Sequence, residues 1–345
     1  MNEVLEKLSQ VIYPGFKKSI VEFGFVKEVE GDLVKLEIPS NKPEVSQALS
    51  EQIAALGLKC EIKTPHLEAQ KSNTLSGKNL LPSVKYFVMI SSGKGGVGKS
   101  TTTLNLAICL ARMGLKVGLL DADIYGPNIA RMMGLDGASV EVENERIVPL
   151  SRFGVKMMSM GVLAESAQGL IWRGAMIMKV IEQLLAEVAW GELDVLLLDM
   201  PPGTGDAQLT LAQSVPVNCG VIVSTPQVVA LDDSARAFDM FEKLHIPVAG
   251  IVENMSGFVC PCCGEESEIF GKGGAAEFAT SHKAPLLAQI PIEPLVREGG
   301  DIGRPVSFFE PNCVSARRYD TAAKRLWEFL EGSKAADNSQ IQPAM

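Results

Sequence analysis

A glycine-rich run between an apolar segment and a helical pattern constrains the fold of this chain more than any other feature. The run reads Gly-Lys-Gly-Gly-Val-Gly-Lys-Ser-Thr over residues 93–101. A glycine, four residues and then Gly-Lys-Ser/Thr is the pattern of a phosphate-binding loop, which joins a strand to a helix. Its glycines let successive backbone N–H groups face phosphate oxygens, and the helix N-terminus adds favourable potential. The expected nucleotide-binding residues are Gly93, Lys94, Gly95, Gly96, Val97, Gly98, Lys99, Ser100 and Thr101.

Two side chains of this loop have distinct expected roles, and a third is unusual. Lys99 is expected to reach the terminal phosphates of a nucleotide, and Ser100 to ligate magnesium. Lys94 occupies the second position of the loop, where the general pattern does not require a lysine. A solvated loop lysine is the ordinary alternative for Lys94, so this residue is informative only together with other motifs.

Short apolar runs alternate with longer helical patterns from Val84 onward. Each run is too apolar for a sheet with one solvated face and is typical of a parallel strand buried on both faces. The predicted strands cover residues 86–90, 117–120, 195–198, 219–223 and 248–252. A helix is predicted over residues 100–113, and Gly114 ends it. The alternation predicts an α/β fold, with a doubly wound, mostly parallel sheet of the P-loop NTPase type.

The chain is expected to contain two domains, because 345 residues exceed one comfortable core. Residues 1–65 show a helix, a hairpin of two strands at 23–29 and 33–38, a second helix and a strand, which predict a small α+β domain. Residues 66–83 are rich in Ser, Asn, Lys and Gly and are predicted to be a linker. Residues 84–332 form the predicted ATPase domain, and residues 333–345 a flexible tail.

Composition excludes several classes of partner and compartment. The net charge of -9 argues against nonspecific binding to nucleic acid or to an anionic membrane, because both need a basic surface. The N-terminus resembles neither a signal nor a transit peptide, and no apolar run approaches the roughly 18 residues of a membrane helix. Seven cysteines, three of them within four positions, are not typical of a secreted disulfide framework. We therefore expect a cytoplasmic protein without nucleic acid or membrane as a partner.

Acidic side chains follow two of the predicted strands. Asp121 and Asp123 come after the strand at 117–120, and Asp199 comes after the strand at 195–198. The carboxyl ends of parallel strands are where ligands bind in open α/β sheets. A lone Asp after a strand is more often a helix cap or a loop residue. Two such positions beside a phosphate loop instead predict that these carboxylates belong to a nucleotide site.

Cys260 and Cys263 have the spacing of a metal-binding pair. Zinc and iron–sulfur sites usually need four ligands. The cysteines outside this loop lie in apolar or isolated settings: Cys60, Cys109, Cys219 and Cys313. If a four-thiolate site exists, the same loop of a second subunit must complete it, and twofold symmetry achieves this. A zinc knuckle and a redox pair are alternatives to a cluster. Three roles are open for Cys262: an alternative metal ligand, a thiol that aids transfer, and no role at the site.

Several motifs together resemble those of the Mrp/ApbC iron–sulfur carriers, which are related to MinD and ParA. Lys94 matches the deviant Walker A signature of this larger group. The other matching segments are Ile171-Trp172-Arg173-Gly174, Trp190-Gly191-Glu192-Leu193-Asp194, Asp199-Met200-Pro201-Pro202-Gly203-Thr204-Gly205-Asp206, Glu253-Asn254-Met255-Ser256, Cys260-Pro261-Cys262-Cys263-Gly264 and Ile269-Phe270-Gly271-Lys272-Gly273-Gly274-Ala275. The N-terminal domain resembles, less specifically, the small domain that is often fused to these carriers and linked to iron–sulfur assembly. Its usual acidic stretch is here Tyr13-Pro14-Gly15-Phe16, and we do not expect this domain to bind metal. Cys60 lies on its last predicted strand and is expected to be buried.

The resemblance implies a role for each polar residue of the expected nucleotide site. Lys94 would contact nucleotide across a dimer interface, as a charge supplied by the partner subunit. Asp199 would hold magnesium through water, and Asp121 would support the same shell. Asp123 would position the attacking water. Asn254 would contact adenine, with helix or turn capping as its alternative role.

The same resemblance implies a function. Cys260 and Cys263 of two subunits would hold one [4Fe-4S] cluster at a homodimer interface. The chain would bind ATP and Mg²⁺, hydrolyse ATP, and pass the cluster to apo iron–sulfur proteins, with assembly scaffolds as further partners. The competing expectation is a spatial-organisation ATPase of the MinD or ParA kind, whose cysteine pair is a zinc or redox site. Membrane-binding members of that kind carry a basic C-terminal helix, whereas acidic residues offset the basic ones here.

Overall fold

The computed structural model describes residues 4, 7–12, 14, 19–21, 23–37, 43–63, 79–123, 126–162, 174–203, 205–271 and 273–339. The chain divides into two compact units, Met1–Asn73 and Thr74–Met345. The division falls within the predicted linker at 66–83, and residues 66–78 of that linker lie outside the described residues.

The first unit is a three-stranded sheet packed with one described helix. The elements are β1 (Val26–Glu30), β2 (Leu33–Glu37), α1 (Pro43–Ala55) and β3 (Lys59–Lys63). β1 pairs antiparallel with β2, and β3 pairs parallel with β2. The strand predicted from Phe23 begins later because Gly24 adopts a left-handed turn with φ 68°. Cys60, expected to be buried on the last strand, is half-buried on β3, with its Sγ 3.5 Å from Ser50 Oγ.

The second unit contains a nine-stranded sheet. Its strands and the short hairpin beside it are β4 (Val84–Ser91), β5 (Val117–Asp121), β6 (Val142–Glu143), β7 (Arg146–Ile147), β8 (Leu150–Arg152), β9 (Val155–Ser159), β10 (Leu193–Asp199), β11 (Cys219–Ser224), β12 (Val248–Val259), β13 (Glu266–Ser267) and β14 (Leu286–Ile292). The order across the sheet is β13, β12, β11, β4, β10, β5, β9 and β8, and β14 pairs with β12. β8 and β13 are antiparallel to their neighbours and the other pairings are parallel.

Helices flank this sheet. They are α2 (Lys99–Arg112), α3 (Ile129–Met132), α4 (Gly174–Ala186), α5 (Asp206–Ser214), α6 (Val228–Lys243), α7 (Gly274–Ser281), α8 (Pro294–Asp301), α9 (Val306–Phe309) and α10 (Val314–Ser339). α2 and α10 contribute to the buried cluster on one face, and α4, α5 and α6 to the cluster on the other. Successive side chains of a central strand point to opposite faces of the sheet, and each face packs against one of these two clusters. The central strands are therefore apolar on both faces. The predicted doubly wound α/β architecture is confirmed.

Two elements extend by seven residues beyond the ranges that the sequence patterns indicated. β12 was predicted over 248–252, but it continues to Val259 and ends beside the cysteine pair. α10 reaches Ser339, so residues 333–339 of the predicted tail are helical, and residues 340–345 lie outside the described residues. Within the part of the chain that the structure describes, no helix combines the length and the apolar character needed to cross a membrane.

Candidate functional site

The phosphate loop joins β4 to α2, as its sequence predicts. Gly96 and Gly98 adopt left-handed backbone conformations with φ of 82° and 83°, which side chains other than glycine disfavour. The Nδ2 of Asn254 on β12 donates a hydrogen bond of 2.9 Å to the carbonyl oxygen of Val97. A Cβ on Gly93 would overlap the backbone of Asp233 on α6, so the loop and this helix are in close contact. The loop conformation therefore depends on residues far away in the sequence.

Asp199 is fully buried at the end of β10 and collects three donors. Lys99 Nζ lies 2.7 Å from its Oδ2, and the hydroxyl of Ser100 donates to the same oxygen at 2.6 Å. Thr103 Oγ1 donates to Oδ1 at 2.6 Å. A buried carboxylate needs such partners, because desolvation of an unpaired charge is costly. The structure thus brings Lys99, Ser100 and Asp199 together, and it adds Thr103, which belongs to no sequence motif.

Asp121 lies beside Asp199, because β5 and β10 pair in register at these two residues. Its carboxylate accepts hydrogen bonds from Ser159 Oγ at 3.0 Å and from the N–H groups of Asp123 at 3.1 Å and Ile129 at 3.3 Å. Burial, followed by the charge of Asp199, raises the pKa of Asp121 to about 7, although the Asp123 N–H, the charge of Lys99 and the Ser159 hydroxyl oppose the shift. Asp121 is thus a buried group whose charge changes near neutral pH.

A cavity of about 670 Å³ opens over the phosphate loop. Asp123 and Asn128 line it on one side, and the segment from Pro291 to Glu293 lines it on another. This segment, the end of β14 and the residue after it, is distant from the loop in the sequence and carries no motif that would predict its position. The cavity is lined by Lys94, Lys99, Ser100, Asp123 and Asn254, among others.

The donor set around this cavity suits a nucleotide with magnesium. Ser100 Oγ and Asp199 Oδ2 are adjacent oxygens, and magnesium prefers oxygen ligands together with waters. Asp123 is buried to 9% exposure at the cavity wall, where a carboxylate can orient a water molecule. Asn254 lines the cavity and holds the loop through Val97, so its side chain is not a helix cap in this structure.

The cysteine pair lies at the tip of a β-hairpin. β12 and β13 pair through Phe258 opposite Ser267 and Val259 opposite Glu266. Within the connecting loop, the N–H of Cys260 donates to Glu265 O at 2.9 Å, and the N–H of Gly264 to Cys260 O at 2.8 Å. The pair therefore follows a strand end, as expected, and does not begin a helix as a thioredoxin-like redox pair does.

The sulfurs of this hairpin are accessible and electronically suited to a soft metal. Cys260 is half-buried, and Cys262 and Cys263 are exposed. Backbone N–H groups of Cys263 and Cys262 point at the Cys260 sulfur and lower the pKa of that thiol, which favours the thiolate that binds metals. Among the residues that the structure describes, no group of three or more His, Cys, Asp or Glu side chains has the arrangement of a metal site.

The remaining cysteines have structural environments. Cys109 and Cys219 are buried in the core of the second unit, as expected. Burial raises the pKa of the Cys109 thiol to about 12 and also raises the pKa of Cys219. Burial likewise raises the pKa of Cys313. These thiols are therefore protonated at neutral pH and are poor metal ligands.

Some motif residues lie outside the described part of the chain. They are residues 171–173, Thr204 and Lys272. The following residue, Gly273, precedes α7, whose first turn receives the buried carboxylate of Glu253. Glu253 accepts hydrogen bonds from Ala275 N and Gln289 Nε2, both at 3.2 Å, and from Ser256 Oγ. This carboxylate fixes the base of the cysteine hairpin to α7 and β14.

Comparison with known protein families identifies one model that spans most of the second unit. The model for the ParA family, described as NUBPL iron-transfer P-loop NTPase, matches residues 83–327. An iron–sulfur cluster carrier protein of Helicobacter pylori is 52% identical over 358 aligned residues, covering 99% of this chain and 96% of that protein. The iron–sulfur cluster transfer protein NUBPL of Mus musculus is 42% identical, covering 84% and 92% respectively.

Solved structures of similar fold agree with this match. A nucleotide-binding protein from Archaeoglobus fulgidus in complex with ADP has a TM-score of 0.58 and 41% identity, covering 68% of this chain and 96% of that chain. The cell division ATPase MinD of Pyrococcus furiosus has a TM-score of 0.53 and 24% identity, covering 70% and 98%. The second of these shows the fold alone.

Proposed function

This chain belongs to the NUBPL iron-transfer P-loop NTPase family, and we propose that it is an ATP-hydrolysing carrier that holds a [4Fe-4S] cluster and passes it to apo-proteins. The observation that carries the proposal is the position of the two thiols. Cys260 follows directly on β12, the strand that brings Asn254 to the phosphate loop. One strand therefore joins the candidate nucleotide site to the candidate cluster site. The compartment that we propose is the cytoplasm.

Each polar side chain around the cavity has its own role in the proposed hydrolysis of ATP. Lys99 pairs with Asp199 in this structure and lines the cavity over the phosphate loop. We expect Lys99 to exchange this partner for the terminal phosphates, while Ser100 and the waters around Asp199 hold Mg²⁺. Asp123 would orient the attacking water from the cavity wall. Positively charged groups held next to the phosphate oxygens accelerate phosphoryl transfer, because they stabilise the negative charge of the transition state.

The cluster site requires a second copy of the chain. Cys260 and Cys263 supply two thiolates, and an Fe₄S₄ cluster usually takes four. A twofold axis beside the hairpin tip would bring in the same two residues from the partner. The proposed role of Lys94 also requires a second copy, because the lysine of one subunit would stabilise the negative charge of the nucleotide bound to the other.

Apolar side chains around the nucleotide site support association with a second copy. Val228 and Val229, at the start of α6, are 72% and 67% exposed, and Leu209 in the first turn of α5 is 42% exposed. Both helix starts lie at the carboxyl edge of the sheet, where the phosphate loop also lies. Exposed apolar groups of this kind are typical of a protein interface. We propose that this edge, together with the cysteine hairpin, faces the partner subunit.

Metal analysis tests the proposal directly. Iron, sulfide and zinc would be measured together with molar mass for protein reconstituted without oxygen, as wild type, Cys260→Ser and Cys263→Ser. The proposal expects about four irons and four sulfides per two chains in the wild type, and loss of the cluster in both variants. Zinc at about one per dimer, or no metal at all, would favour a P-loop ATPase of the MinD or ParA kind with a structural cysteine pair.

A further inference from the structure

Both strands of the cysteine hairpin lead from residues that line the nucleotide cavity. Met255 on β12 lines the cavity and precedes Cys260 by five positions. Phe270 follows β13, lines the same cavity and is 39% exposed. A ligand that fills the cavity would therefore contact the two ends of the hairpin at once, one through each residue.

The hairpin itself is held together as a unit. Phe258 and Val259 pair with Ser267 and Glu266, and two further backbone hydrogen bonds close the loop around Cys260. Arg318 on α10 donates to Glu266 Oε2 at 2.9 Å on the outer strand. Paired strands move together more readily than they separate, because separation breaks backbone hydrogen bonds.

The backbone conformation is irregular at each of the two bases of the cysteine hairpin. Met255 has a φ of 58°, which is rare for a residue other than glycine, and Gly257 has a φ of 102°. The pairing of β12 with β14 is irregular between Asn254 and Phe258. On the other side, Gly271 follows Phe270 with a φ of 95°. Irregular, left-handed positions with glycines are suited to act as hinges between the sheet and the hairpin.

We propose that Met255 and Phe270 are positioning residues that transmit nucleotide occupancy to the cysteine hairpin. Nucleotide in the cavity would press on both side chains, rotate the hairpin about its two bases and change the exposure of its thiols. The inference rests on the proposed function for its nucleotide and its cargo. It adds the route of control: direct contact with the hairpin bases, without a pathway through the sheet.

Thiol labelling of the metal-free protein tests this route without a cluster. The alkylation rates of Cys262 and Cys263 by N-ethylmaleimide would be measured by peptide mass spectrometry, with and without saturating MgADP or a nonhydrolysable ATP analogue. We expect nucleotide to change the wild-type rate by about fivefold or more, the range of a moderate allosteric coupling. In the Met255→Ala/Phe270→Ala double variant this ratio should fall to about one. Alanine at position 255 has the same backbone strain as methionine, so this substitution removes only the side chain.

A matched control separates contact with the cavity from local loosening. Ile269 is adjacent to Phe270 and more exposed, at 55%, but it does not line the cavity. Ile269→Ala should therefore keep the wild-type ratio. A purely structural role of Met255 or Phe270 would change labelling equally with and without nucleotide, and so would not alter the ratio. If the double variant does not fold, each single variant should lower the ratio.

Two results would overturn the inference. One is a wild-type labelling rate that does not respond to nucleotide. The other is a wild-type ratio in the double variant at saturating nucleotide, with occupancy verified by ultrafiltration. Failure of the proposed function would be seen in a different measurement, namely the absence of iron and sulfide from the reconstituted wild type. The labelling ratio does not depend on that result.

Discussion

The side-chain nitrogen of Asn254 occupies the space that a Cβ on Gly98 would need. Asn254 Nδ2 also donates to Val97 O at 2.9 Å, so β12 and the phosphate loop interlock at this point. Two separate constraints thus require glycine at position 98. One is its φ of 83°, and the other is the side chain of Asn254, which leaves no space for a Cβ.

Gly98→Ala is expected to abolish nucleotide binding, whereas Gly96→Ala should weaken it less. Both glycines have a left-handed φ, and alanine costs about 1 kcal/mol of conformational strain at either position. A Cβ at Gly96 meets open space, but one at Gly98 overlaps Asn254. Calorimetric titration with MgADP would compare the two variants. Equal affinities would contradict the interlock, and Asn254→Ala should partly restore binding to Gly98→Ala.

Lys99→Ala is expected to abolish nucleotide binding and also to destabilise the fold by about 3 kcal/mol. The reason for the destabilisation is that the buried carboxylate of Asp199 loses its only described cationic partner, and breaking a buried pair is costly. Urea unfolding would measure the change. A loss below about 1 kcal/mol would indicate that Ser100 and Thr103 alone satisfy Asp199.

Lys94→Ala should retain more nucleotide binding than Lys99→Ala but lose hydrolysis, because Lys94 is proposed to act on the partner's nucleotide. Its stability should change by no more than about 0.5 kcal/mol, since Lys94 is only half-buried on the loop. Turnover and binding would be measured on the same preparations. Turnover equal to wild type would remove the argument for a shared site.

Asp121 should make stability fall as pH rises toward neutrality. Its pKa is about 7 in the folded chain and about 3.9 in the unfolded chain, so the folded state binds an extra proton between these values. The favourable contribution is therefore fully present below the unfolded pKa and is lost as pH rises to about 7. The slope is up to about 1.4 kcal/mol per pH unit.

Urea unfolding without nucleotide and magnesium would measure this effect for wild type and Asp121→Asn. The wild-type free energy of unfolding, minus that of the variant, should decrease by about 2 kcal/mol from pH 5 to pH 7 and then level off. A difference that is constant over this range would show that Asp121 is ionised throughout.

Cys262→Ala is expected to leave the iron and sulfide content unchanged, in contrast to Cys260→Ser and Cys263→Ser. The structure assigns the backbone N–H of Cys262, and not only its sulfur, to the support of the Cys260 thiolate, and alanine keeps that N–H. Iron and sulfide assays on the reconstituted variant check this outcome. Loss of the cluster would make Cys262 a ligand and would require a different set of four thiolates.

The phosphate loop could be predicted from sequence because the residues that identify it are adjacent in the chain, although Asn254 and α6 also hold its conformation. Glycine conformation, the following helix and Lys99 lie within one short run. The partners of Asp199 and Asp121 were harder: Thr103 resembles any helical threonine, and Ser159 meets Asp121 only because β9 pairs with β5. The cavity wall from Pro291 to Glu293 likewise depends on the order of strands, which no local pattern specifies.

The length of β12 also separates two kinds of metal chemistry. Six residues lead from Asn254 to Cys260, a span of at most about 20 Å for extended chain. Hard oxygen ligands, which suit magnesium, therefore lie at one end, and soft sulfur ligands, which suit iron–sulfur clusters, lie at the other. Each end thus offers the ligand class of a different metal, and one strand connects the two ligand sets. Ligand chemistry at the two ends of β12 therefore distinguishes the two kinds of metal.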